Sequence, residues 1–185
     1  MIPNTTDAAV FITTPPAWEK GIELEQMADT SVFTSRAGLE ERQQRRQRCG
    51  FKIEYSAVYD AAGLAARNQS AAAEMASPLV VPFWTERCLT TSGIVANVVT
   101  IDRDPDSDWF VPGDWVFFDS PTQGQQFRQI ASVAGADLTL SGSGTAFNSG
   151  TPVYPCRRCL RDGQRAEWIP PSDGNASEAM KFATL

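Results

Sequence analysis

Residues 33–59 read FTSRAGLEERQQRRQRCGFKIEYSAVY, and the change of texture halfway along this stretch decides the fold class. From Cys49 onward the residues alternate, with Phe51, Ile53 and Tyr55 on one side of an extended chain and Lys52, Glu54 and Ser56 on the other. Successive side chains of a strand point to opposite faces, so 49–59 is expected to be a strand with one face in a core and one in water. The preceding LEERQQRRQR (39–48) has a single apolar residue, Leu39. A helix that polar has no face to bury, which leaves a solvated helix or a segment that meets another molecule. SRAG (35–38) reads as the turn in front of it.

On either side the same reading gives mostly strands. GIELEQMADTSVF (21–33) begins as a half-buried strand, Ile22, Leu24 and Gln26 against Glu23 and Glu25. Asp60 is placed to cap a helix through AAGLAARNQSAAAEMA (61–76), with Ala61, Leu64, Ala65, Ala72 and Met75 near one face and Pro78 ending it. In SPLVVPFWTERCLTT (77–91), Pro82 interrupts an apolar run and predicts an edge strand or two short strands with a bend. From 93 onward, GIVANVVTID, FVPGDWVFFDS, QFRQIASVAGADLTLSG and GTPVYPCRRCL are short β-rich runs separated by Asp, Gly, Ser and Pro. That spacing predicts a five-stranded small barrel or sandwich over 93–160, with a hairpin turning at Gly135-Ala136-Asp137. The fold class is therefore α+β, mainly β, with one flanking helix. Four units follow: an extended arm over 1–20, a strand and helix domain over 21–92, the small β-domain over 93–160, and an extended C-terminal tail over 161–185.

Composition excludes several functions. The 42% apolar and 10% aromatic content suits a folded, soluble chain. Residues 33–59 hold six cations against three glutamates, +3, and leave −9 on the rest of a chain whose net charge is −6. Such an acidic chain argues against sequence-specific nucleic-acid binding, and the basic run lacks interleaved aromatics. No stretch approaches the roughly 18 to 20 apolar residues of a membrane span. The polar start MIPNTTDAAVFITTPP has no secretory pattern, so Asn-x-Ser/Thr at Asn4, Asn68 and Asn175 carries no weight and a cytosolic origin is expected. The chain has no histidine, which removes Ser-His-Asp and Cys-His nucleophile systems together.

Other clusters have plainer readings. Cys156 and Cys159 form one CxxC, and Cys49 and Cys88 would have to complete a metal tetrad from distant strands, so free thiols in β-structure are favoured. DRDPDSDW (102–109) spaces Asp102, Asp104, Asp106 and Asp108 like a calcium loop, but Ser107 and Gly113 stand where that loop needs glycine and glutamate. No glycine pattern opens a helix as a phosphate cradle, and Glu40 and Glu41 have no apolar pocket to perturb them. Trp18, Trp84, Trp109, Trp115 and Trp168 suit core and interface burial. No cofactor and no catalytic residue is expected. In the basic run, Glu41 and Arg45 form a favourable helical pair, while arginine forks suit carboxylates of an adjacent subunit. A +3 segment on a −9 remainder fits head-to-tail contacts, where one patch meets a different one.

SVFTSRAGLEERQQRRQRCGFKIEY resembles the start of tail-tip proteins of long-tailed bacteriophages and gene-transfer agents. VPFWTERCLTT resembles the valine-proline-aromatic-tryptophan strand of those proteins, and the ordered β-runs after 93 resemble the small β-domain that follows it. The likeness covers roughly 18–160. It implies a tail-tube-like β-sandwich flanked by a helix, assembling as a ring, commonly hexameric. Its matched positions are Ser35, Gly38, Glu41, Arg42, Arg45 and Arg46, implied to fix the turn and join subunits without catalysis. The chain departs in the doubled Glu40-Glu41 and in Cys49-Gly50, where another arginine belongs. With Phe33, Arg36 and Arg48 beside them, these residues make the candidate subunit interface.

The implied protein is a structural, non-enzymatic virion component of the distal tail or baseplate, made in the host cytoplasm. Its partners are further copies of itself, the tail tube protein and hub or other tip proteins. A neck or tail-completion protein shares the general fold. A receptor- or carbohydrate-binding β-module using Trp109 and Trp115 is the alternative from another class, and a metal-dependent protein built on the four cysteines is a third.

Overall fold

A computed structural model describes residues 10–27, 30–34, 40–44, 50–60, 63, 78–94, 97–102, 109–144, 146–162, 168–169 and 176–185. Their regular structure is almost wholly strand, in antiparallel ladders apart from one parallel pair. The strand expected at 49–59 is β5 (Gly50–Tyr59), and its alternation holds: Ile53, Tyr55, Ala57 and Tyr59 are buried, Lys52 and Val58 exposed. On one side it pairs with β2 (Ile22–Met27), Ile22 opposite Tyr55 and Met27 opposite Gly50. On the other it pairs with β14 (Ala176–Thr184), from Tyr59 opposite Ala176 to Lys52 opposite Ala183.

β14 overturns the expected C-terminal tail. Residues 176–184 lie inside the main sheet, with Met180 and Phe182 about 1% exposed. Glu178 is buried beside them because Arg161 forms an ion pair with it from the next strand, so a carboxylate occupies a core-facing position without standing alone. That next strand is β12 (Pro152–Arg161), the junction of the fold. Along one edge it carries β7 (Cys88–Leu89) and then β6 (Leu79–Pro82); along the other, β9 (Trp115–Ser120) and then β14. The two short strands expected around Pro82 are thus β6 and β7. β6 is buried throughout, and β1 (Val10–Phe11) runs parallel beside it, so the segment read as an arm is already docked by residue 10 and Ile12 enters the core.

The strands expected over 93–160 are all present. β9 pairs with β10 (Gly124–Ala134), β10 with β11 (Asp137–Leu140), and β11 with β8 (Val98–Thr100). Ile101 then bridges Thr90, with Thr91 N–H donating to the Thr100 carbonyl at 2.8 Å, which returns the circuit to β7 and β12. The β10–β11 hairpin turns in two residues, since Ala134 pairs with Asp137 and Gly135 takes φ +57° at the first turn position, as a II′ turn requires.

Two cores share β9 as a wall. Val116 and Phe118 enter the core inside this circuit, with Val99, Ile130, Leu138, Phe147 and Val153. Phe117 points the other way, among Tyr55, Val81, Trp84, Tyr154 and Phe182. Strand alternation alone sends neighbouring phenylalanines to different cores.

Two further expectations fall partly outside the described residues. Asp60 does act as a cap, its Oδ1 accepting the Gly63 N–H at 2.7 Å, and Gly63 is helical; the other residues of the expected helix at 61–76 lie outside the described residues. For 39–48, read as a solvated helix or a segment that meets another molecule, the helix is overturned where the segment is described. Glu40–Gln44 is a strand, β4, paired antiparallel with β3 (Thr30–Thr34). A two-stranded ribbon satisfies its inner backbone groups across the pair and needs no apolar helical stripe, which is how so polar a sequence is accommodated.

Candidate functional site

The ribbon β3–β4 sits in the connection between β2 and β5, which are themselves neighbours in the sheet. Its ladder runs from Thr30 opposite Gln44 to Thr34 opposite Glu40. Among the described residues its strands pair only with each other, so each has an outer row of N–H and C=O groups with no ladder partner. An isolated two-stranded ribbon is marginally stable in water and gains from a third strand or a surface.

Three of the expected interface residues are on this ribbon. Phe33 is directly opposite Glu41, and Arg42 is opposite Val32. Ser35, Arg36, Gly38, Arg45, Arg46 and Arg48 lie outside the described residues.

Beside the root of the ribbon, the solvent face of β2, β5 and β14 carries a charged ladder. Glu23 is opposite Glu54, which is opposite Lys181; Glu25 is opposite Lys52. Lys181 Nζ lies 2.7 Å from Glu54 Oε1, and Lys52 Nζ 3.7 Å from Glu25 Oε2. The hydrogen bond that Lys181 donates to Glu54 pushes the Lys181 pKa up, and the charges of Glu54, Asp162 and Glu23 add to it against desolvation. With Asp162 at the rim, these side chains line a groove of ≈ 260 Å³.

The CxxC has a structural setting. Cys156 and Cys159 are fully buried free thiols, each donating to the carbonyl two residues before it, of Tyr154 and Arg157. Burial pushes both thiols up, Cys159 to about 12, which keeps them protonated near neutral pH. Cys88 is a third buried cysteine, its Sγ donating to the Glu86 carbonyl at 3.9 Å, and Cys49 lies outside the described residues. Nor are the nearby arginines free for other work: Arg157 pairs with Asp114 and Arg161 with Glu178. Of the acidic run 102–108, Asp102 is described, and its Oδ1 accepts the Leu89 N–H at 3.0 Å, tying a loop to β7.

The tryptophans offered to a ligand by the alternative reading are half-buried and packed. Trp109 stacks on Phe51 at 5.1 Å, and Trp115 meets Phe11 edge-on at 5.0 Å. Trp84 is buried, whereas Trp18 stays 59% exposed on a 3-10 turn at Trp18–Lys20 just before β2.

Sequence reasoning missed Arg128. This β10 side chain is only 4% exposed and donates through Nη2 to Asn97 Oδ1 at 3.1 Å, the Ser141 carbonyl at 3.3 Å and the Gly142 carbonyl at 2.6 Å. Among the described residues its Nε and Nη1 have no hydrogen-bond partner, and desolvation lowers its pKa. It pins the loop after β11 to β10. Local sequence holds no signal for this, because Asn97 and the loop reach Arg128 only through the fold.

Neither protein-family models nor curated proteins give a match to this chain.

Proposed function

We propose that the chain is a structural, non-catalytic subunit of a phage-type tail. In this reading it forms a ring, commonly of six copies, at the distal tail or baseplate and joins the tail tube to tip proteins. The observation that carries the reading is the β3–β4 ribbon, which bears Arg42, belongs to an arginine-rich stretch of the sequence and has no strand partner but itself among the described residues. Such a ribbon suits binding to another subunit by strand addition and arginine–carboxylate contacts. The tail-tube-like sandwich with its flanking helix is the finer form of the mainly β architecture and belongs to the same proposal. Subunit joining falls to Phe33, Ser35, Arg36, Gly38, Glu41, Arg42, Arg45, Arg46 and Arg48, and the protein resides in the virion tail after assembly in host cytoplasm.

The test is direct. The purified chain, alone and mixed with tail tube protein, is measured by sedimentation velocity and imaged by electron microscopy. Closed rings, or co-assembly at tube ends, support the proposal; a strictly monomeric chain that ignores tubes removes it.

A further inference from the structure

If the ribbon joins copies, something on the neighbour must receive it, and the described residues hold one surface that matches. The groove on the outer face of β2, β5 and β14 presents four carboxylates, Glu23, Glu25, Glu54 and Asp162, against the two lysines Lys52 and Lys181. Its ion pairs engage Glu25 and Glu54, leaving Glu23 and Asp162 in surplus. The groove lies at the end of the sheet, where β2 pairs with β5 along one edge and, among the described residues, with no strand along the other. Thus a surplus of negative charge and an open row of backbone groups occur together. By sequence, the segment 33–48 offers the complement, with five arginines and two glutamates, and among the described residues the outer edges of β3 and β4 have no strand partner.

We propose that the groove and the open edge of β2 seat the arginine-rich ribbon of a second copy of this chain. This deepens the ring reading and rests on it. Strand addition to β2 supplies backbone hydrogen bonds, and arginine forks reach Glu23 and Asp162 bidentately, a geometry the resident lysines do not offer. Donor and acceptor are different patches of one chain, so the contact is heterologous and propagates around a ring if the rotation closes. The carboxylates also raise the Lys181 pKa, which agrees with a face of negative potential.

The experiment compares four full-length proteins by sedimentation velocity: the natural chain, E23K/D162K, R45E/R46E, and the variant with all four changes. Far-UV circular dichroism checks their folding; Glu23 and Asp162 are exposed, so reversal there leaves the core intact. Each reversed pair is expected to weaken self-association at least about tenfold, and the fourfold variant to recover most of it because attraction is restored with its signs exchanged. Unchanged association of E23K/D162K, or no recovery in the fourfold variant, overturns the acceptor while the ring reading stands. A natural chain that stays monomeric at every concentration and ignores tail tubes removes both.

Discussion

Gly144 lies directly against the guanidinium of Arg128. A Cβ at position 144 would stand 2.6 Å from Arg128 Nη1, 2.7 Å from Gln126 Oε1 and 2.9 Å from Arg128 Cδ. An arginine tip usually swings away from such a clash, but this one is held by acceptors at Asn97, Ser141 and Gly142. Gly144→Ala is therefore expected to destabilise the fold by about 1–3 kcal/mol in urea unfolding. In an Arg128→Ala background two of the three close contacts are gone and the Gln126 side chain has room to move aside, so much of that penalty should vanish as coupling of roughly 0.5–3 kcal/mol. Equal penalties in both backgrounds would show that the two residues do not meet.

Phe117 and Phe118 are consecutive and fully buried, yet they belong to different cores. Phe117 packs on Phe127 at 4.5 Å and Trp84 at 5.7 Å, whereas Phe118 stacks on Phe147 at 4.8 Å. Truncating either to alanine should remove about 3–5 kcal/mol of stability. Because they share no ring contact, the double variant should lose close to the sum of the two, within about 0.5 kcal/mol. Strong coupling would mean that β9 does not divide the interior.

The buried thiols make stability depend on pH in a defined direction. Desolvation raises both Cys156 and Cys159, the latter to about 12, while a thiol in the unfolded chain ionises near ~8.5. Above ~8.5 the unfolded chain releases protons that the folded chain keeps, so their contribution is intact below that point and is lost as pH rises toward 12. Denaturant titrations should find lower stability at about pH 10 than at about pH 8, and a flatter profile in Cys156→Ala/Cys159→Ala. A thiol reagent at about pH 8 should label these cysteines only after unfolding.

Reversing Arg45 and Arg46 to glutamate should abolish assembly yet leave a folded monomer, because a polar, arginine-rich segment contributes to contacts rather than to a core. Sedimentation and circular dichroism separate the two effects. Loss of the monomer fold itself would contradict the assignment.

Where local pattern and burial agree, the chain could be read directly. β5 carries its alternation openly, Asp60 caps through its own neighbour Gly63, and the β10–β11 hairpin announces itself by Gly135. β14 was legible in part: Met180 and Phe182 alternate with Ala179, Lys181 and Ala183, but Glu178 continues the inward row and disguises it. Only the partner Arg161, on a strand that comes earlier in the chain, makes that glutamate acceptable inside. β4 failed for the opposite reason, since EERQQ has no periodicity and its partner strand alone decides its conformation. Phe33, Glu41 and Arg42 fall on the ribbon as candidates, and the remaining interface residues lie outside the described residues. The Arg128 anchor depends on residues from β10, Asn97 and the loop after β11, a convergence no window of sequence contains.

The position of β14 also sets an order of events during synthesis. Tyr59 donates its hydroxyl to the Met180 sulfur across 121 positions of sequence, and β5 meets its full neighbour only when that distant stretch has left the ribosome. The circuit around Phe118 and Phe147 lacks that dependence, because its strands span 88–161. That half is free to close first, while the flank of β5 stays bare and open to wrong neighbours until translation has passed residue 184.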